Sequence, residues 1–199
     1  MISTREMKSL EEQSGIPSSV LMERAGKGVA STLLEKMEVK SKSILILAYH
    51  GKNGGDGFIA ANHLAESAEV DILFLGDEDK FSEETKHAYL RIENDPRIQM
   101  LSIESIDFSD YDTIIDAVFG TGAHGAIQDP IATILTKVSK AKAFKVALDV
   151  PSGIDPDTGE KSNAYFDADL IITMHDIKKG LGDYSDKTII VDIGLGKSE

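Results

Sequence analysis

The chain begins in helical phase and then changes period. Ser3 and Glu6 stand at capping-box spacing, where each side chain satisfies the other residue's backbone N–H, and helical periodicity follows. Pro17 falls where the first turn of a second helix tolerates it, since a residue there has no intrahelical N–H bond to lose. Beyond it Val20, Leu21, Ala25, Val29, Leu33 and Met37 recur at helical spacing and predict an amphipathic helix. Gly26 and Gly28 inside that stretch cost helix propensity, so they predict close packing against another element. After residue 43 the pattern becomes short apolar runs: Ile44–Ala48, Val70–Leu75, Ile98–Leu101, Thr113–Phe119, Phe144–Val150, Leu170–Met174 and Thr188–Ile193. Several are nearly continuous in Ile, Val and Leu, as in parallel strands buried on both faces. Helix-like stretches at 57–67, 82–93 and 130–141 lie between them. Strand alternating with helix predicts an α/β sandwich with a mostly parallel central sheet. No linker or repeat interrupts it. The expected organisation is one domain over 1–199, with a helical extension at 1–40 and an α/β core at 43–195.

The polar interruptions fall in one place. His50–Gly57, Gly120–Gly125, Pro151–Asp155 and His175–Gly180 each follow a predicted strand. In an open parallel sheet such loops share the carboxyl edge, where ligands bind at the point of reversed strand order. In the first loop the glycines and Asn53 remove Cβ atoms where backbone must approach a ligand or adopt a positive φ. A helix is expected to start near Gly57 and to offer free N–H groups to a phosphate, with Asp56 as a cap in the plainer reading. The spacing is neither G-x-G-x-x-G nor that of a Walker loop. Asp116 and Asp149 interrupt apolar runs, and a carboxylate buried at a strand end needs compensation. Asn53, Asp116 and Ser152 offer hard oxygens from three loops, which suit an alkali or alkaline-earth cation and not zinc. His50 and His124 lie in candidate site loops; the other three histidines read as surface residues.

Composition narrows the chemistry. There are no cysteines, which removes disulfides, thiolate catalysis and Cys-bound metals. The net charge of −13 opposes polyanionic partners, so neither nucleic acid nor membrane binding is expected. The N-terminus lacks an apolar signal segment, and no apolar run approaches the about 20 residues of a membrane span. The expected setting is the cytoplasm.

The ordered motifs GKNGGDG (51–57), DAVFGTG (116–122), LDVPSGIDPDTG (148–159) and VDIGL (191–195) resemble the YjeF N-terminal domain family, as does GIPSSVLMERAG (15–26). The resemblance implies a Rossmann-like three-layer α/β/α fold and a homodimer. It implies NAD(P)H-hydrate epimerase activity: interconversion of the R and S forms of NADHX and NADPHX, which carry water at C6 of the nicotinamide ring. It implies a potassium ion on Asn53, Asp116 and Ser152. It implies substrate contacts at Lys52, Asn53, Gly54, Gly55, Asp56, Gly120, Thr121, Gly122, Ala123, His124, Gly125, Ala126 and Asp149. Relatives are often fused to a dehydratase, so functional coupling to such an enzyme is also implied. The chain departs from the family pattern at Lys52, usually Asn, and at Gly125, usually Arg. The family's Pro-Lys reads Ile177-Lys178. Lys52 is a candidate replacement for the lost Arg charge. Epimerisation needs one group to protonate the leaving hydroxyl and deprotonate the returning water, and Asp149 is the candidate. The alternatives are a non-catalytic nucleotide- or protein-binding scaffold of the same fold and, from Gly-Gly-Asp-Gly alone, a kinase.

Overall fold

The computed structural model describes residues 1–36, 42–104, 106–122 and 125–196. Met37, Ala123 and His124 lie outside the described residues. The helices are α1 (Thr4–Gln13), α2 (Ser18–Lys36), α3 (Lys52–Leu64), α4 (Glu83–Leu90) and α5 (Ile131–Val138). The strands are β1 (Ser43–Ala48), β2 (Glu69–Phe74), β3 (Ile98–Leu101), β4 (Thr113–Ala117), β5 (Phe144–Leu148), β6 (Leu170–Met174) and β7 (Thr188–Val191). They form one sheet in the order β3-β2-β1-β4-β5-β6-β7, and every pairing is parallel.

Alternation along each strand explains the layers. Ile44, Ile46 and Ala48 of β1 join one core cluster with α2, α3 and α4, while Leu45 and Leu47 join the other with α5. Both faces of the sheet are therefore covered, which is why the central strands read as unbroken apolar runs. Helix α2 is part of the first helical layer and buries Leu21, Met22, Ala25, Val29, Ala30 and Leu33 there. Its glycines pack as expected: a Cβ on Gly26 would stand 2.5 Å from Ile59 Cβ, and one on Gly28 would stand 2.2 Å from Val191 Cγ1.

Helix α1 begins at the predicted capping box: Ser3 N–H donates to Glu6 Oε2 at 2.8 Å, and Glu6 N–H donates to Ser3 Oγ at 3.2 Å. Ser3 Oγ–H, which donates to Glu6 Oε2 at 2.6 Å, then Ser3 N–H and Lys179 hold the Glu6 carboxyl down at about 2. Thr4 donates through both N–H and Oγ1 to Asp157, at 2.8 and 2.6 Å, which docks α1 beside the carboxyl edge.

The order reverses between β1 and β4. The chain leaves β1 for α3 on one face and leaves β4 toward α5 on the other, which opens a crevice at the carboxyl edge. Three strands end two residues before the predicted limit, at Ala117, Leu148 and Val191. After β4 the strand end is taken up by a side chain, since Val118 N–H donates to Asp116 Oδ1 at 3.1 Å.

Candidate functional site

A cleft of about 1300 Å³ occupies this crevice. Its lining includes Lys52, Asn53 and Asp56 from α3, the 119–122 and 125–131 segments after β4, Asp149 after β5, and Thr4, Arg5, Met7, Lys8 and Glu11 of α1. The described expected residues Gly120, Thr121, Gly122, Gly125 and Ala126 thus share one cavity.

The glycine-rich segment differs from expectation. Helix α3 starts at Lys52, not near Gly57, with Gly51 as an N-cap that makes no side-chain bond. Asp56 is therefore inside the helix and caps nothing, and the free N–H groups belong to the turn beginning at Lys52. None of Gly51, Gly54, Gly55 and Gly57 has a positive φ. Close approach is the reason for the glycines: a Cβ on Gly54 would stand 1.8 Å from the Tyr49 carbonyl oxygen. Gly54 and Gly55 are buried behind the cleft wall, Gly55 against Met22.

Asp116 and Ser152 lie fully buried beneath the cleft floor. The carboxylate accepts from Ser152 N–H and Oγ–H, both at 2.7 Å, while Ser152 Oγ accepts from Phe119 N–H at 3.0 Å. Burial raises the Asp116 carboxyl to about 6, opposed by these bonds and by Val118 N–H. Asn53 is also buried, and neither its Oδ1 nor its Nδ2 has a partner. It faces Gly120, whose added Cβ would stand 3.4 Å from Asn53 Oδ1 and 3.3 Å from Asp149 Oδ2. Phe119 and Gly120 therefore bring Asn53, Asp116, Ser152 and Asp149 to one junction. A buried amide oxygen without a partner suits a hard cation. Among the described residues no group of three or more His, Asp or Glu is arranged for a metal, so any ion there would rest on mixed oxygen donors.

Asp149 departs furthest from ordinary geometry. Its φ is 63°, in the left-handed region that a non-glycine residue adopts at a cost, and Val150 N–H closes the turn onto Leu148 O at 2.8 Å. Its Oδ1 lies 2.6 Å from Lys178 Nζ and accepts from Thr173 Oγ1 at 3.1 Å. Its Oδ2 is the oxygen nearest Gly120 in the cleft.

Sequence reasoning missed Lys178, Thr173 and Glu11. Lys178 lies in the His175–Gly180 loop already placed at the carboxyl edge, but nothing in the sequence gave it a role, and it is completely buried. The family's Pro-Lys position was the available signal. Glu11 sits in a polar helix with nothing to mark it. Burial raises the Glu11 carboxyl, Lys52 opposes the shift, and Asp149 adds to it. Burial, then the Asp149 and Glu11 charges, pushes Asp56 well above the usual carboxylate range. The Lys52 charge opposes the rise of the Glu11 and Asp56 carboxyls and helps to lower that of Glu84. His175 corrects the surface reading. It is half-buried with φ 67° in the turn after β6, and its Nε2 is buried without a partner.

A family model described as YjeF-related protein N-terminus matches residues 18–180. A protein named NAD(P)H-hydrate epimerase from Nitrosopumilus maritimus is 34% identical over 195 residues, covering 94% of this chain and 90% of its own length. Another of that name from Lentilactobacillus buchneri is 34% identical over 204 residues, covering 98% and 94%. The bifunctional NAD(P)H-hydrate repair enzyme Nnr of Archaeoglobus fulgidus is 36% identical; the match takes 99% of this chain but 42% of that protein. The crystal structure of yeast ynu0 superposes with a TM-score of 0.83 at 22% identity, covering 96% of this chain and 86% of the other, a likeness of fold.

Proposed function

The chain belongs to the YjeF-related protein N-terminus family, and on that footing we propose that it interconverts the R and S epimers of NADHX and NADPHX, as a step in the repair of hydrated nicotinamide cofactors. The observation that carries this reading is the Asp149 carboxyl, held at Oδ1 by Lys178 and Thr173 with Oδ2 toward a cleft large enough for a dinucleotide.

Inversion at C6 requires the hydroxyl to leave and water to return on the other face. The ring nitrogen lone pair expels the hydroxyl while protonated Asp149 donates to it, giving water and a cationic iminium. Water then attacks C6 and gives its proton to the Asp149 carboxylate, so protons balance over the cycle. Glu11 and Asp56 crowd further carboxyls beside Asp149, and a cationic ring relieves that crowding. The turn starting at Lys52 offers backbone N–H groups to the substrate's phosphates, and Lys52 supplies a cation there.

We assign potassium to Asn53, Asp116 and Ser152 because the donors are hard oxygens and Asn53 Oδ1 has no other partner. A bound cation would supply the positive charge that the buried Asp116 carboxylate lacks. A cytoplasmic homodimer is part of the same reading. So is coupling to a dehydratase; the Archaeoglobus fulgidus relative is named as bifunctional in NAD(P)H-hydrate repair. Among the described residues no helix is long and apolar enough to cross a membrane.

The test feeds the R epimer to wild-type and Asp149→Asn protein and follows the S epimer by chromatography. The variant is expected to lose about 1000-fold in kcat; a wild-type rate would remove Asp149 from the mechanism. Retention of ligand binding without any turnover by the wild-type chain would favour the scaffold reading.

A further inference from the structure

We propose that Lys178 is the positioning residue of the site, fixing Oδ1 of Asp149 so that Oδ2 meets the hydroxyl and water at the reacting carbon; this rests on the epimerase reading. The ammonium has three N–H donors, and the structure gives each an oxygen: Asp149 Oδ1 at 2.6 Å, Met174 O at 2.8 Å and Thr173 Oγ1 at 3.0 Å. With all three engaged, Lys178 has none left for a substrate and acts only through Asp149. Thr173 closes the ring, accepting from Lys178 and donating to Asp149 Oδ1. Oδ1 thus receives two donors, while Oδ2 receives none from the described residues.

Two further features argue against a plain structural ion pair. The pair is asymmetric: the Lys178 side chain is 0% exposed and that of Asp149 is 14% exposed, so only the carboxylate reaches the cleft. The backbone under Asp149 is strained, and such strain persists where the surroundings over-determine it. The Lys178 segment is itself anchored. Ile2 N–H donates to Ile177 O at 2.8 Å, and Lys179 N–H donates to Ile2 O at 3.0 Å, so the residues ahead of α1 brace the lysine from outside. Met174 O, which Lys178 holds, also closes the turn around His175 by accepting from Asp176 N–H at 2.8 Å.

The test compares wild-type, Lys178→Met and Thr173→Val proteins in R-to-S conversion, with melting midpoints measured alongside. Lys178→Met is expected to lose about 100-fold in kcat with KM within about threefold, because misplacing a proton-transfer group affects the transition state more than binding. Thr173→Val removes one of the two donors to Oδ1, leaves no uncompensated buried charge, and is expected to lose about tenfold in kcat at unchanged KM. Its crystal structure should show the Asp149 carboxylate turned from the cleft. If Lys178→Met does not fold, Thr173→Val decides. A kcat within about twofold of wild type in Thr173→Val, or a loss confined to KM, overturns the positioning role. Failure of the wild-type chain to convert the R epimer is instead failure of the epimerase reading.

Discussion

Gly120 shows how tightly single residues define the cleft. A methyl group there would press on both Asp149 Oδ2 and the Asn53 amide while the surrounding core stayed untouched. Gly120→Ala is expected to weaken nicotinamide dinucleotide binding about tenfold while leaving the melting midpoint unchanged, as titration calorimetry and circular dichroism would read. Glu6 supplies the pH dependence at this scale. Its carboxyl sits at about 2 when folded against an ordinary 4.5, so the folded state favours the charged form. The stability it contributes is complete above pH 4.5 and is lost as pH falls toward 2. Wild type should therefore melt above Glu6→Gln at pH 7, and the gap should close by pH 2. A gap that persists at pH 2 would place the contribution elsewhere.

Helix α3 joins chemistry to packing. It carries Lys52, Asn53 and Asp56 into the cleft, and it does so because Gly54 lets its first turn sit on the Tyr49 carbonyl. Gly54→Ala is expected to destabilise the protein by about 3 kcal/mol or more, since the clash is with backbone that cannot rotate away. Gly51→Ala, one turn edge away with φ −80° and open space around its Cβ, should cost less than about 1 kcal/mol. Denaturant midpoints of the two variants test the contrast, and equal losses would deny the close approach its role. The N-terminal helices matter in the same way. α1 contributes Glu11 to the cleft and α2 completes a helical layer, so both belong to the site's architecture and not only to a terminal extension.

Across the whole molecule a charge of −13 coexists with a cleft proposed to hold a phosphorylated ligand. Recognition through backbone N–H groups, a cation and Lys52 is local and needs no basic face. The cation assignment makes a global prediction. Protein dialysed free of alkali ions should gain about 3 °C or more in melting midpoint on adding saturating potassium, by mass action on the folded state. Asp116→Asn and Asn53→Ala should lose that gain. An equal gain in both variants would move the ion elsewhere.

The sequence alone determined the element order, the parallel sheet and the edge where chemistry gathers, because hydrophobic period and turn residues act over a few neighbours. It also marked Asp116 and Asp149, since carboxylates that interrupt apolar runs are costly enough to stand out, and Asn53 and Ser152 as hard oxygens in neighbouring loops. The start of α3 was not legible, because glycines placed for close packing look like glycines placed for a loop. Lys178 and Glu11 were hidden for a deeper reason. A lysine's burial depends on what packs over it: Lys178 bonds to Thr173 and Met174 nearby, but the residues ahead of α1 and Asp149 that also hold it are distant along the chain. Only the tertiary structure decided that this cation meets this carboxylate, because an ion pair across two loops is a product of packing and leaves no period in the sequence.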